Sequence, residues 1–571
     1  MKRSDSIPAT KRSRTALALM WIVPLLLLVP NIGLTITEHL YNGWEKAANL
    51  LLPLGVYCFL ASCWKRVGIT TLLSLPLMIL CAFQIVLLFL YGESIIAIDM
   101  FLNVATTNYN EATELLSNLT PAILTVCTIY LPPLVAAMVV SIRHEFVDAP
   151  RRRVLRMVAA ATYAAGMIAA VGAYRSNPDY SISRKLFPVN VVANIHSAIV
   201  RAEQSSHYPA TSENFRFGSR STRPDSIAEV YVMVIGETSR AGNWQLNGHS
   251  RSTNPKLCKR LGVVNFSRTL SESNTTHKSV PLMMSHLNSK EFGDSIYRSK
   301  GIIDAFNEAG FTTAWISNQK HNGSFIDFFG QQADSVIYLS DDNMSHFDGD
   351  TTDELKRFLA SNPHGKVFVA IHTYGSHFNY RERYPDGFDH FHPDNASEAR
   401  AANRQELMNA YDNSILYTDA VLDSIIGVLA DTGRPAALVY TSDHGEDIFD
   451  DCRGRFLHAS PHPTYYQIHV PMIAWTSESF AEMEPEAVFM LDRHSASDVS
   501  SSLSVFHTLV GLAGIATPRY NAKADLSSNL YTAPERIYLN DYNEAVALGQ
   551  SGLRNIDISI LDSAGISKGI M

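Results

Sequence analysis

The stretch that decides the fold of the C-terminal half is "EVYVMVIGETSR", residues 229–240. An uncharged apolar run follows Glu229, and a polar segment begins abruptly at Glu237. A short continuous apolar run of this kind is typical of a strand that is buried on both faces. We therefore predict a central strand with Glu237 at its carboxyl end.

Further apolar runs alternate with segments whose apolar residues have helical spacing, such as "KGIIDAFNEAG". The runs are "TTAWIS" (312–317), "KVFVAIHTYG" (366–375), "AALVYTSD" (436–443), "VPMIAWT" (470–476) and "RIYLND" (536–541). Alternation of strands and helices predicts a mostly parallel sheet between two layers of helices.

Polar side chains follow three of the predicted strands. Glu237 follows the first, Asp443 and His444 follow "LVYTS", and His377 follows "VAIHTYGS". Any one of them is more often a cap or a solvated charge than a ligand. Ligands of parallel sheets, however, bind at the carboxyl ends of the strands, and carboxylates and imidazoles bind divalent metals. Together the three strand ends predict a metal site.

A polar run, "SESNTTHKSV" (271–280), stops at the apolar "PLMM". One interpretation is a loop that caps a helix beginning near Ser279. The other is a source of a nucleophilic hydroxyl, since a metal makes a nearby hydroxyl lose its proton more readily. On the residues alone, Thr275 and Thr276 are both candidates.

Apolar residues concentrate before about residue 175, where several stretches approach the roughly 20 residues that cross a hydrocarbon core. They cover residues 15–34, 47–64, 69–90, 120–142 and 154–174, of which the second is the shortest. A cleavable signal peptide is the alternative for the first stretch, but no small-residue cleavage site follows it. We predict five membrane spans.

Lys and Arg occur in alternate connections: the leader, residues 65–66 and residues 143–156 are basic, whereas residues 91–119 contain neither. The positive-inside rule then places the N-terminus in the cytoplasm. With five spans, everything after residue 174 is expected on the outer face of the membrane.

The predicted domains are a membrane domain (1–174), a connecting segment (175–228) and a C-terminal domain (229–571). In the connecting segment an apolar residue recurs every fourth position from Phe187 to Ile199. This pattern indicates a helix that lies in the lipid interface or packs on the C-terminal domain.

The composition excludes some classes of protein. The net charge of −8 argues against nucleic acid as a partner. Six cysteines in 571 residues are no disulfide framework. Cys258 and Cys452, the two outside the apolar third, are either one bridge or two free thiols.

Several motifs together resemble the phosphoethanolamine transferases of Gram-negative envelopes: "VIGETSRAGNWQLNGHSRSTNP", the Thr-x-x-Ser-Val-Pro segment, "HTYGSHFNYRERYP", and "YTSDHGE" followed by "FLHA". These enzymes belong to the alkaline phosphatase and sulfatase superfamily and include the lipid A modifying enzymes behind polymyxin resistance. The resemblance covers the five spans and nearly all of the C-terminal domain. It implies a hydrolase-like α/β catalytic domain in the periplasm, anchored in the bacterial inner membrane.

The resemblance also implies roles for individual residues. Glu237, Asp443 and His444 match the zinc ligands of the family. Thr276, three residues before Ser279, matches the nucleophile, which also contacts the zinc.

Other matched residues would surround this centre. His377 and His458 match two histidines at the phosphate group or at a second zinc ion, and His462 is the alternative to His458. Asn318 and Gln319 resemble a polar pair that lines the head-group pocket, although a strand-end Asn with no role is the alternative.

Two further features bear on this segment. His277 and Lys278 are expected to face solvent or the head group. Many lipid A modifying members flank the nucleophile with a disulfide, where this chain has Glu272 and Leu282. This departure leaves the acceptor open.

The function implied is zinc-dependent transfer of phosphoethanolamine from phosphatidylethanolamine through a covalent intermediate on Thr276. The acceptor would be lipid A, the lipopolysaccharide core or another envelope glycan, and one or two zinc ions would be bound. The alternatives are a phosphoglycerol transferase of the same superfamily and a non-catalytic membrane protein with a decayed site.

Overall fold

The computed structural model describes residues 13–92, 95–106, 119–342, 346–396 and 398–566. The chain divides into two compact units. The N-terminal unit consists of residues 1–101 and 110–199, and the C-terminal unit consists of residues 200–571 together with residues 102–109.

The secondary-structure elements of the first unit are helices, as far as its described residues show. Its helices are Arg14–Leu27, Val29–Thr37, Gly43–Cys63, Val67–Leu73, Leu75–Tyr91, Ile98–Thr106, Thr120–Ile142, Ala149–Ser176, Ile182–Lys185 and the start of Val189–Ser206.

Four helical segments of this unit are long and apolar enough to cross a membrane. They are Arg14–Thr37, Gly43–Cys63, Thr120–Ile142 and Ala149–Ser176. The predicted third span is a pair of helices, Val67–Leu73 and Leu75–Tyr91, bent by 51°. Pro76 adjoins the bend, where its missing amide N–H cannot continue the helical hydrogen bonds. The prediction of five spans is confirmed, with the third one bent.

The helix Val189–Ser206 does not bury the whole apolar stripe that its sequence suggested. Val191 is fully buried, whereas Ile199 is 53% exposed. Instead, Asn190 and Asn194 lie on the buried face, and both side-chain amides donate to the carbonyl of Ile96 at 3.1 and 2.7 Å. A buried asparagine is tolerated because such bonds satisfy it.

The second unit is built on a sheet of seven strands. They are β1 (Val230–Gly236), β2 (Val263–Asn265), β3 (Thr312–Ser317), β4 (Ser335–Tyr338), β5 (Val367–His372), β6 (Ala436–Ser442) and β7 (Met472–Thr476). Their order across the sheet is β2-β7-β6-β1-β5-β3-β4. The five strands from β6 to β4 are parallel, and β7 is antiparallel to both of its neighbours. The prediction of a mostly parallel sheet is confirmed.

Three details differ from the predicted strands. The strand expected at 536–541 is Ile537–Leu539, which pairs with Ala545–Ala547 outside the main sheet. The edge strands β2 and β4 were not predicted. They are short and only half-buried, so neither carries the continuous apolar run of a central strand.

Helices cover both faces of the sheet. The principal ones are Thr276–Met284, Ile302–Glu308, Phe325–Gly330, Asp350–Ser361, Arg404–Asp431, Tyr465–Ile468, Glu478–Met483, Pro485–His494, Ser501–Leu512 and Asn555–Ser563. Alternate residues of β1 enter opposite cores: Tyr231 and Met233 face one, Val232 and Val234 the other. Burial on both faces explains why the sequence of β1 is apolar throughout.

One helix of this unit, Arg404–Asp431, lies within a segment that is also long and apolar enough to cross a membrane. Two thirds of its apolar window is buried, and residues such as Leu407 and Tyr411 belong to the core beside the sheet. It is therefore a covering helix of the α/β unit.

Candidate metal centre and nucleophile

The three central strands bring the predicted site residues to one edge of the sheet. β1 lies between β6 and β5, with Gly236 opposite Ser442 and Ile235 opposite His372. The residues just beyond these ends therefore emerge side by side, as expected for parallel strands.

Three of these residues form a compact buried cluster. Ligand atoms of Glu237, Asp443 and His444 all lie within 4.8 Å of one another. Nε2 of His444 is 3.5 Å from Oε1 of Glu237 and 3.2 Å from Oδ2 of Asp443. Two carboxylates and an imidazole converge on one small volume.

Neighbouring backbone groups orient these donors. The amides of Thr238 and His444 donate to Oδ1 of Asp443 at 3.1 and 2.7 Å, whereas its buried Oδ2 has no hydrogen-bond partner. Nδ1 of His444 is 3.0 Å from the carbonyl of Gly445 and must donate to it. The lone pair of a neutral imidazole is then on Nε2, which faces the carboxylates.

The electrostatics of the cluster favour a cation. Burial and then the charge of Glu237 raise the pKa of Asp443 well above its usual range. Burial and then the neighbouring His458 lower the pKa of His444 well below its usual range. Adjacent buried carboxylates are costly unless a positive charge compensates them. The orphaned Oδ2 and the unprotonated Nε2 fit a divalent metal, and this set of N and O donors suits zinc.

Thr276 adds a hydroxyl to the cluster. Its Oγ1 is 3.1 Å from Nε2 of His444 and 3.4 Å from Oε2 of Glu237. The Oγ1 of Thr275 is instead 3.2 Å from that of Ser273. The structure thus distinguishes the two threonines, which the residue types alone had left as equal candidates.

The helix after the polar run begins at Thr276, and the expectation of a start near Ser279 was wrong. The amides of Lys278 and Ser279 both donate to the carbonyl of Thr275, at 3.1 and 3.0 Å, which starts the helix earlier. Lys278 is also only 4% exposed, and its Nζ donates to the carbonyl of Asn540 at 2.8 Å, so the expectation that it faces solvent was wrong. That it faces the head group stays a prediction.

His377 and His458 both lie near the cluster. The ring centroid of His458 is 4.1 Å from that of His444 and 6.0 Å from that of His377. Nδ1 of His377 donates to the carbonyl of Phe378 at 2.7 Å, which leaves Nε2 as its free nitrogen. His462 is placed differently, since its ring lies against Gly552.

Glu446 is a member of the site that sequence reasoning left without a role. Its buried carboxylate accepts from the hydroxyl of Tyr380, and Nδ1 of His458 is 3.3 Å from its Oε2. Burial raises the pKa of Glu446 to about 8. Its position in "SDHGE", two residues after His444, was the available signal.

The polar pair after β3 is split between two environments. Nε2 of Gln319 is 3.2 Å from Oε2 of Glu237. Asn318 donates to Oδ1 of Asp348 at 2.8 Å, and Asp348 also accepts the amides of Tyr374 and Gly375 at 2.7 and 2.8 Å. Only Gln319 contacts the cluster, and the head-group role of the pair stays a prediction.

Cys258 and Cys452, the two cysteines outside the apolar third, are both exposed free thiols.

The segment around Glu272, where many family members have a disulfide, is held by hydrogen bonds instead. Glu272 is buried, and its carboxylate accepts from the hydroxyls of Ser500, at 2.7 Å, and Ser289. Burial raises the pKa of Glu272.

Comparison with known proteins gives one family model and several similar proteins for this unit. The family model described as Sulfatase matches residues 229–515. Phosphoethanolamine transferase EptA of Escherichia coli O157:H7 is 32% identical over 307 residues, which are 52% of this chain and 55% of that protein. Kdo(2)-lipid A phosphoethanolamine 7''-transferase of Escherichia coli K12 is 26% identical over 314 residues, 52% of this chain and 53% of that protein. The chain thus spans about half the length of the curated relatives it matches.

Two solved structures have a similar fold. The integral membrane protein lipooligosaccharide phosphoethanolamine transferase A from Neisseria meningitidis has a TM-score of 0.68 at 24% identity, over 91% of this chain and 99% of that one. A zinc complex of the C-terminal periplasmic domain of EptC from Escherichia coli has a TM-score of 0.52 at 23% identity, over 58% of this chain and 95% of that one.

Proposed function

The chain belongs to the sulfatase family, and on that premise we propose that it is a phosphoethanolamine transferase of the bacterial inner membrane. The donor would be phosphatidylethanolamine. The acceptor would be lipid A, the lipopolysaccharide core or another envelope glycan. The observation that carries this proposal is the hydroxyl of Thr276 beside the buried cluster of Glu237, Asp443 and His444.

Those four residues would hold a zinc ion. When bound, zinc lowers the pKa of a neighbouring hydroxyl and offsets the negative charge of a phosphate group. The ring of His458 lies beside that of His444, and the ring of His377 lies beside that of His458. These two imidazoles would bind the phosphate or a second ion.

The first step would transfer the head group to the protein. Oγ1 of Thr276 attacks phosphorus, a new oxygen–phosphorus bond forms, and the bond from phosphorus to the diacylglycerol oxygen breaks. Oε2 of Glu237, 3.4 Å from Oγ1, is placed to take the hydroxyl proton. The departing oxygen needs a proton, which an imidazole such as His458 can deliver.

The second step would release the group to the acceptor. A hydroxyl or phosphate oxygen of the acceptor attacks the same phosphorus, and the bond from phosphorus to Oγ1 of Thr276 breaks. The proton taken up by Glu237 returns to Oγ1, and a proton lost by an attacking hydroxyl passes to the imidazole that gave one up in the first step. Because Thr276 is the first residue of its helix, the amino end of that helix, a favourable place for an anion, would face the anionic group in both steps.

The membrane unit has a direct use in this scheme. Its apolar helices would hold the catalytic unit at the lipid surface where the donor resides. The alternating basic connections support a periplasmic location for that unit.

Mass spectrometry of lipopolysaccharide and other envelope glycans from cells with and without this protein tests the proposal. We expect a phosphoethanolamine-sized mass increase on one glycan, absent in cells that carry only Thr276→Ala. A glycerophosphate increase would instead support the phosphoglycerol transferase. Identical glycans in all strains would contradict both.

A further inference from the structure

A C-terminal strand outside the main sheet borders the loop that carries the nucleophile. The amide of Leu539 donates to the carbonyl of Glu272 at 2.7 Å. On the other side of Thr276, Nζ of Lys278 donates to the carbonyl of Asn540 at 2.8 Å. The strand Ile537–Leu539 and the residue that follows it are therefore bonded to the chain both before and after the nucleophile.

Between these two points, Tyr538 bonds to Asn274. Its hydroxyl donates to Oδ1 of Asn274 at 2.7 Å, and both residues are only 3% exposed. A buried hydrogen bond of this kind is directional. If its donor is removed, the buried acceptor is left unsatisfied, which destabilises the folded state.

Asn274 connects the nucleophile loop to the loop of His458. Its Nδ2 donates to the carbonyl of Ser460 at 2.8 Å and to Oε1 of Gln467 at 2.7 Å. Its own carbonyl accepts the amide of Ala459 at 3.2 Å. Asn274 is thus two residues from Thr276 and bonded to the two residues that follow His458.

The backbone around His458 needs such support. Leu457 and Ala459 have φ angles of 67° and 61°, in the left-handed region that residues with a Cβ rarely adopt. Conformations of this kind persist only where the surroundings over-determine them. The bonds from Asn274 are part of those surroundings.

We propose that Tyr538 is a positioning residue for the active site. By holding Oδ1 of Asn274, it sets which way the amide faces, and the amide in turn fixes the spacing between Thr276 and His458. This inference rests on the proposed function for its kinetic consequence, but not for its structural one.

The test compares Tyr538→Phe with Tyr208→Phe in the full-length protein in detergent. Tyr208 is a matched control because it is also 3% exposed and its hydroxyl donates to a backbone carbonyl, that of Ser299, at 2.9 Å. The measurements are zinc content, transfer kinetics with phosphatidylethanolamine, and hydrogen–deuterium exchange of residues 271–278 and 456–461.

We expect Tyr538→Phe to lower kcat by about tenfold, because small misplacements of reacting groups cost rate, with KM for the lipid and zinc content unchanged. Exchange should become faster in both segments, and Tyr208→Phe should change neither quantity. Equal kcat in the two variants, or unchanged exchange in both segments, would overturn the inference. If the wild-type protein transfers nothing, the proposed function fails, while the exchange measurement still decides whether Tyr538 holds the two loops.

Discussion

The hydroxyl oxygen of Thr276 lies 3.1 Å from Nε2 of His444, although 168 positions separate the two residues in sequence. The bond from Nδ1 of His444 to the carbonyl of Gly445 leaves Nε2 without a proton. A hydroxyl, an unprotonated imidazole nitrogen and two carboxylates therefore share one buried site, which is the arrangement that the predictions below address.

Thr276→Ala should abolish transfer while the fold and the bound zinc persist, because no oxygen remains to take the phosphoryl group. Thr276→Ser keeps a hydroxyl and should retain some turnover. The measurement is intact-protein mass spectrometry after incubation with donor lipid, followed by peptide mapping of the adduct.

Thr275→Ala is the matched control for that experiment, since Thr275 is adjacent but bonds to Ser273. We expect it to cost about 1 kcal/mol of stability, the net contribution of a typical hydrogen bond such as the one to Ser273, and to keep transfer. An adduct on Thr275, or full activity in Thr276→Ala, would contradict the assignment.

Asp443→Asn and His444→Ala should each lower zinc occupancy as well as activity, because each removes one donor of the cluster. Elemental analysis of the purified protein measures the zinc bound per chain. His469→Gln, a change at a buried histidine whose Nε2 donates to the carbonyl of Ser267, should keep its zinc. Unchanged zinc in both cluster variants would place the ligands elsewhere.

The C-terminal unit should lose stability on acidification, in part through His469. Burial lowers the pKa of this imidazole to about 4, whereas in the unfolded chain it is about 6.5. Between pH 6.5 and pH 4, His469 therefore binds a proton in the unfolded state but not in the folded state. The stabilisation is complete above pH 6.5 and is lost as pH falls towards 4, by about 3 kcal/mol at most.

Thermal unfolding of the wild type and of His469→Gln between pH 7.5 and pH 4 measures this contribution. Glutamine can still donate to Ser267 and accept from the hydroxyl of Tyr465 but has no proton to take up. As the pH is lowered, the unfolding temperature of His469→Gln should fall less steeply than that of the wild type. Parallel curves would show that His469 does not titrate on unfolding.

Reporter fusions test the predicted orientation. A periplasm-dependent reporter joined after Arg201 should be active, and a cytoplasm-dependent reporter at the same point should be inactive, because the basic connections alternate. The reverse pattern would place the catalytic unit in the cytoplasm, away from any outer-leaflet acceptor. A fusion in the basic connection at residues 143–156 is the control and should give the opposite signals.

The sequence predicted the central strands well and the periphery less well. β1, β5 and β6 are apolar on both faces, so their composition alone identifies them. The short edge strands β2 and β4 are half-buried and have no such signature. The strand at Ile537–Leu539 was recognised as a strand, but its pairing with Ala545–Ala547 is non-local information that no apolar run contains.

In the candidate site, too, some features could be predicted from the sequence and others could not. Glu237, Asp443 and His444 follow predicted central strands, so their approach to one another could be expected from parallel pairing. Asn318 and Gln319 are neighbours in sequence, yet only Gln319 contacts Glu237. Which of two adjacent side chains turns towards a site depends on packing around them, and here Asp348 holds Asn318.

The sequence by itself determined the five apolar spans, the parallel α/β sheet, the family resemblance and the strand ends that carry the candidate ligands, because periodicity and motif spacing are local properties of the chain. Only the tertiary structure showed that Thr276 contacts His444 while Thr275 lies beside Ser273, that Glu446 supports His458, and that Asn274 and Tyr538 join the two loops. These are contacts between residues far apart in sequence, and their geometry depends on how the whole core packs.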